Sequence, residues 1–316
     1  MEKTFREAEE WARNNTSIIE EFLSSRDYII SFSGRGRIPA LVFSWIKSLV
    51  LGRPPSIYES NLITYHLLPY IEKTVIIHFA SRGDESTLPR MLDTAYLTGS
   101  ELVVVSPPLH KRLVEKLHGF KTIIVPGDLD YVIASSMLAL KAGFSQSLKT
   151  SGRSDKRVSR LSVEVDDVSI VARDLYEHYR DKILQAIDKL MKTETIVLAY
   201  TPTMEAPAWL LEQICTGMLG KKTPVYPVSA LAERISSGEL IVLFSTMVEE
   251  DSLREIRFKS LQRGSQLVEF NINTDPATAQ IYGLMIAKYL EAYLETQGIT
   301  QRLQSLGPGH FSHQSG

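Results

Sequence analysis

The chain has 316 residues, 44% hydrophobic and 23% charged, with one cysteine, Cys215, and a formal net charge of -2. This is the composition of a globular protein of one large or two ordinary domains, and its near-neutral balance leaves no global field to draw in nucleic acid or a membrane surface. A single cysteine excludes an internal disulfide framework; the charged start and the lack of a long apolar run predict neither a secretory leader nor a membrane span, so a cytoplasmic location is expected.

Phe5, Ala8, Trp11, Ile18, Ile19, Phe22 and Leu23 recur at helical spacing and predict an opening helix. A strand at 28–32 follows, then a helix from Pro39 in its first turn to Leu51, stopped by Gly52. A weak strand at 56–58 precedes a strong one at 74–79, whose unbroken apolar run fits a strand buried on both faces. Loop 80–86 leads to a helix over 88–98, strands at 102–105 and 122–125, and a helix over 131–148. The polar, basic segment 149–157 reads as a linker or exposed loop, and a long amphipathic helix over 168–192 comes after it.

The pattern then restarts. It runs through a strand at 195–200, a proline-bearing loop, a helix ending at Leu219, a short strand at 224–228 and a strong strand at 240–244. Loop 245–252 opens a helix to Leu261, followed by a strand at 267–270 and a closing helix over 277–294. The two passes match in order at an offset of roughly 165 residues, the mark of a duplicated unit. Strands alternating with helices predict an α/β fold with a parallel sheet in each half, divided as residues 1–150 and 151–316.

The turn Ser33-Gly34-Arg35-Gly36-Arg37 sits between a strand and a helix start. Exposed N–H groups and the positive helix end favour an anion there, glycines admit close backbone approach, and Ser33, Arg35 and Arg37 add donors. Gly34-x-Gly36 lacks the third glycine of a dinucleotide fingerprint, so a Rossmann-type nucleotide-binding enzyme is the weaker alternative. Histidines at metal-ligand spacing are absent, and no metal or cofactor is expected.

With that turn, the loop Ala80-Ser81-Arg82-Gly83-Asp84-Glu85-Ser86-Thr87 and the duplication, the chain resembles the double SIS-domain (sugar isomerase) family, of the archaeal phosphoglucose/phosphomannose isomerase type. The resemblance covers about residues 20–300. It implies a flavodoxin-like three-layer sandwich in each half, a homodimer, and a sugar phosphate as ligand. By it, Ser33, Gly34, Gly36, Ser81, Gly83, Ser86 and Thr87 hold the phosphosugar, and by their charge Arg35, Arg37 and Arg82 join them. The second loop departs from the family's Ser-x-Ser-Gly-x-Thr, with Arg82 before the glycine and Glu85 at the threonine position. Arg82, Arg35 and Arg37 would attract a phosphate dianion, while Asp84 and Glu85 would repel it if they faced inward.

Aldose–ketose isomerisation through an enediol needs a carboxylate base and a proton-passing group. The family places the base on the helix after the first strand of the second half, where Glu212 is the only carboxylate of segment 209–217. The helping histidine is missing from segment 228–234, whose one carboxylate is Glu233. His66, after the second strand of the first half, completes the catalytic candidates. A protein of the same fold that senses a phosphosugar without turnover is the alternative. The acidic, glycine-free loops of the second half are poor phosphate sites, so a single ligand per chain belongs at the loops of the first half.

Overall fold

A computed structural model describes residues 1–23, 26–54, 56–83 and 86–305, with side chains to residue 297. The first half contains α1 (Glu2–Leu23), β1 (Tyr28–Phe32), α2 (Arg37–Leu51), β2 (Tyr58–Glu59), α3 (Ser60–Leu62), β3 (Val75–Phe79), α4 (Leu88–Thr98), β4 (Glu101–Ser106), α5 (Lys111–Lys116), β5 (Lys121–Ile124) and α6 (Tyr131–Ser151). The second contains α7 (Lys156–Asp166), α8 (Ala172–Lys192), β6 (Ile196–Tyr200), α9 (Glu205–Leu219), β7 (Val225–Pro227), α10 (Val228–Leu231), β8 (Leu240–Thr246), α11 (Arg254–Arg263), β9 (Gln266–Ile272) and α12 (Pro276–Ser305).

All strand pairs are parallel, in the orders β2-β1-β3-β4-β5 and β7-β6-β8-β9. The first is the flavodoxin-like order, and the second is the same order without the fifth strand. The apolar runs become the central strands, with all of β3 and β8 buried. Alternate residues serve opposite faces. Val75, Ile77 and Phe79, like Leu240, Val242 and Phe244, enter one hydrophobic core that runs through both halves. Ile76 instead packs under α4 with Leu88, Met91 and Leu92, and Ile241 and Leu243 pack with Leu231 and Ile256. In the shared core α2 packs on α9, and α12 packs on both α2 and α6.

The two halves repeat each other in single hydrogen bonds. The Ser33 N–H donates to Phe79 O at 3.0 Å, and the Thr201 N–H donates to Phe244 O at 3.0 Å. The turn closes with Gly36 N to Ser33 O in the first half and Met204 N to Thr201 O in the second, both at 2.8 Å. These equivalences set Arg37 opposite Glu205, and those two residues meet as an ion pair of 2.8 Å.

Within segment 149–157, residues 152–155 form the expected exposed connection, and helix reaches into it from both sides. Helix α6 runs on to Ser151, and α7 starts at Lys156 with Asp155 as its cap, whose carboxylate accepts the Val158 N–H at 3.0 Å. Val158, Leu161 and Val165, spaced i, i+3 and i+7, give α7 a buried stripe in an otherwise polar stretch. Arg157, though partly exposed, holds the Asp275 carboxylate through two bonds of 2.8 and 3.0 Å.

A buried ion pair fixes the passage from α7 to α8. Glu9 of α1 and Lys141 of α6, 3% and 7% exposed, meet at 2.8 Å. The Glu9 carboxylate also accepts the Val168 and Ser169 N–H groups at 2.9 Å, while Lys141 Nζ donates to the carbonyls of Val165 and Asp166 at 2.6 and 2.8 Å. At the open edge of the second sheet, Tyr179 and Lys182 of α8 donate to β9 carbonyls, those of Asn271 and Glu269. Side chains thus cover outward carbonyls where the first half has a fifth strand.

Candidate functional site

Strand order reverses between β1 and β3, and in open parallel sheets ligands bind beyond the carboxyl ends of strands at such a point. The loop Ser33-Gly34-Arg35-Gly36 turns there. Its glycines serve the protein's own packing. Gly34 has φ +44°, and a Cβ on it would lie 2.7 Å from Ser81 Oγ. A Cβ on Gly36 would lie 1.9 Å from Phe79 O. The loop thereby approaches the end of β3 closely, and Ser33 completes the brace by accepting the Ser81 N–H at 3.1 Å.

Beside this braced loop lies a cleft of about 250 Å³ lined by Arg35, Ser81 and Arg82, by Pro107, Pro108, Pro126 and Gly127, and by Leu129, Asp130 and Tyr131. It brings Arg35, Ser81 and Arg82 together, three of the predicted phosphate contacts. Gly83 is exposed in the following turn, Ser86 is exposed, and the Thr87 hydroxyl donates to Asn61 Oδ1 at 3.2 Å. Asp84 and Glu85, expected to oppose an anion, lie outside the described residues. Arg37 turns to α9 instead, pairing with Glu205 and stacking 3.9 Å above the Trp209 ring centre.

The catalytic candidates are dispersed. Glu212 is half-buried on α9, accepting from the Thr216 hydroxyl at 3.0 Å. Glu233 is exposed in the turn after α10, and His66 is exposed in a π-helical turn over Ile63–Leu67. Cys215 is buried, and burial, with the Glu212 charge, pushes its thiol up to about 12, so it is no nucleophile at neutral pH.

Sequence reasoning missed Asp130. It caps α6 by accepting the Ile133 N–H at 3.0 Å and pairs at 2.6 Å with Lys288 of α12, which also contacts Glu291. Burial works to raise this carboxyl, but the charge and hydrogen bond of Lys288, the Ile133 N–H and the Arg35 charge hold it below the usual carboxylate range. An aspartate just before an apolar helical run was a readable cap signal; its lysine, over a hundred residues later, was not.

Asp275 is lowered in the same way, burial being outweighed by the Arg157 bonds and the Ala277 N–H. A lowered folded pKa gives stability that is present above the ordinary aspartate value of 3.8 and lost as pH falls through the folded value. The urea midpoint will therefore hold through the neutral range and fall below about pH 4. A midpoint still flat at about pH 2.5 contradicts the role given to these two carboxylates.

In the second half the equivalent donors face a carboxylate of the chain itself. Glu249 accepts from the Thr203 N–H and hydroxyl at 3.4 Å and from the Thr246 hydroxyl at 2.8 Å. Among the described residues no cluster of histidine, cysteine, aspartate or glutamate is set to hold a metal ion, and no helix is long and apolar enough to cross a membrane.

No protein-family profile matches the chain, and no curated protein sequence matches it. Solved structures do. The C-terminal domain of glucosamine-fructose-6-phosphate aminotransferase from Francisella tularensis superposes with a TM-score of 0.72 at 12% identity, over 93% of this chain and 95% of that one. A protein provisionally described as a phosphosugar isomerase from Bacillus subtilis gives 0.69 at 11% identity, over 95% and 96%. Glucosamine-6-phosphate deaminase from Thermotoga maritima gives 0.61 at 13% identity, over 92% and 94%. The chain shares the fold of these proteins along nearly its whole length, with two flavodoxin-type parallel sheets.

Proposed function

We propose that the chain is a phosphosugar-binding protein of the double SIS-domain type, with SIS units over 1–150 and 151–316, acting as a cytoplasmic homodimer. The carrying observation is the cleft at the β1/β3 switch point, where Arg35, Arg82 and Ser81 converge beside Asp130. Two guanidinium groups and a hydroxyl match a phosphate dianion, and the ionised Asp130 can accept from sugar hydroxyls. The occupied donors around Glu249 support one ligand per chain, at the first half. The likeness in fold to proteins described as acting on sugar phosphates points the same way.

Turnover would be aldose–ketose isomerisation through an enediol. Glu212 is the base this reading assigns, as the one carboxylate of segment 209–217 on the helix that the resemblance points to. Glu233 and His66, both exposed, are the lesser candidates. Binding without turnover is the second reading. One observation favours it: the carboxylate that lines the cleft is already bound to Lys288 and held below the usual range, which weakens it as a base.

Fructose 6-phosphate will raise the melting temperature of the protein, and Arg35→Ala will weaken its binding by about 1.5–3 kcal/mol, the range for a hydrogen bond to a charged group. Calorimetry gives the affinity and proton NMR of the sugar gives turnover. Stabilisation without conversion selects the binding reading. Stabilisation by NAD and by no phosphosugar overturns both readings.

A further inference from the structure

We infer that Gln213 is a positioning residue for Arg35, so that the second half tunes the anion affinity of the cleft in the first. The inference rests on the phosphosugar reading of that cleft. Glu205, Trp209 and Gln213 recur at every fourth residue of α9 and share one face of it. That face grips the anion loop at two points. Glu205 and Trp209 take Arg37 between them, with the Trp209 indole N–H donating to Glu205 at 3.1 Å. Gln213 Oε1 accepts the Nε–H of Arg35 at 2.9 Å.

The choice of atom gives this second contact its meaning. A guanidinium has five N–H donors, and the one on Nε is the one Gln213 takes. The four on the Nη atoms keep their hydrogens for another acceptor. Arg35 is exposed and lines the cleft, so it would otherwise lose much rotamer freedom on meeting an anion. A bond at Nε removes part of that freedom beforehand, and a preorganised donor binds more tightly than a mobile one. Arg37 is held by Glu205 through one Nη and by stacking on Trp209, with its Nε buried and unpaired, which makes it the anchor of the loop and leaves Arg35 as the arm.

The test is a double-mutant cycle of Gln213→Met, similar in length but without the acceptor, with Arg35→Ala. Titration calorimetry would use fructose 6-phosphate and, separately, inorganic phosphate. Gln213→Met should weaken both about tenfold, as expected for losing one hydrogen bond to a charged group. In the Arg35→Ala background the same change should weaken neither further, because the effect passes through Arg35. The melting temperature of Gln213→Met should stay within about 2 °C of the parent, since Gln213 is half-exposed. Unchanged affinity in Gln213→Met, or an equal loss with and without Arg35, overturns the inference and leaves the cleft standing. A parent protein that binds neither probe overturns the phosphosugar reading, and the inference with it.

Discussion

Alanine at position 36 will destabilise the protein by about 3 kcal/mol, in the upper range for forcing atoms into a packed site. The backbone of Gly36 is ordinary, with φ -64° and ψ -14°, so its conformation alone would welcome alanine. Contact decides the outcome. The new Cβ would stand 1.9 Å from Phe79 O and 2.6 Å from the carbonyl carbon, and neither belongs to a side chain that can swing aside. Relief would mean parting the loop from β3, where the Ser33 N–H and the Ser81 N–H make the bonds that hold it. Gly217 provides the contrast: it is exposed inside α9, and a Cβ there meets nothing within 4 Å. Gly217→Ala should stabilise by about 0.5–1 kcal/mol. Urea unfolding of the two variants checks both; a loss at position 36 no larger than about 0.5 kcal/mol would mean the loop can shift freely.

Lys141→Ala should be at least as damaging, at about 3–5 kcal/mol, the range for leaving a buried charge without its partner. Glu9 would keep its two N–H donors at Val168 and Ser169 but lose the cation paired with it. The carbonyls of Val165 and Asp166 would lose their shared donor too. Burial acts to raise the Glu9 carboxyl, and the Lys141 and Ser169 bonds bring it below its ordinary value. Without the lysine, Glu9 should take up a proton at higher pH, so the variant should recover part of its stability under mildly acidic conditions. Replacing both members, as Glu9→Leu with Lys141→Met, should cost less than Lys141→Ala alone. A single-variant loss under about 1 kcal/mol would show that the pair is reached by water.

The sequence could announce strands and repeats because these are local. Runs such as Val75–Phe79 and Leu240–Thr246 carry their burial in consecutive residues, and the second pass repeats the first. It also marked the loop at Ser33 as the place to look. What it could not carry were the meanings of particular side chains there. Arg35 and Arg37 looked alike in the turn, yet one lines the cleft and the other stacks on Trp209. Their partners, Gln213 and Glu205, lie far along the chain, and no periodicity encodes a pairing of that range. The glycines also admit the close packing of the loop on the end of β3, a contact that no local pattern announces. Helix α7 was legible, in a cap at Asp155 and in Val158, Leu161 and Val165 at helical spacing, and the sequence reading left it out.

The covered edge at β9 bears on how copies of this chain could meet. An unpaired parallel strand invites a neighbour to extend the sheet, and continued extension leads to fibres. Here an incoming strand would first have to displace the Tyr179 hydroxyl from Asn271 O and the Lys182 amine from Glu269 O. Those groups come from a helix that is itself seated in the shared core, so clearing the edge means lifting α8. Among the described residues the second sheet stops at four strands, and self-association through its β9 edge is disfavoured by α8.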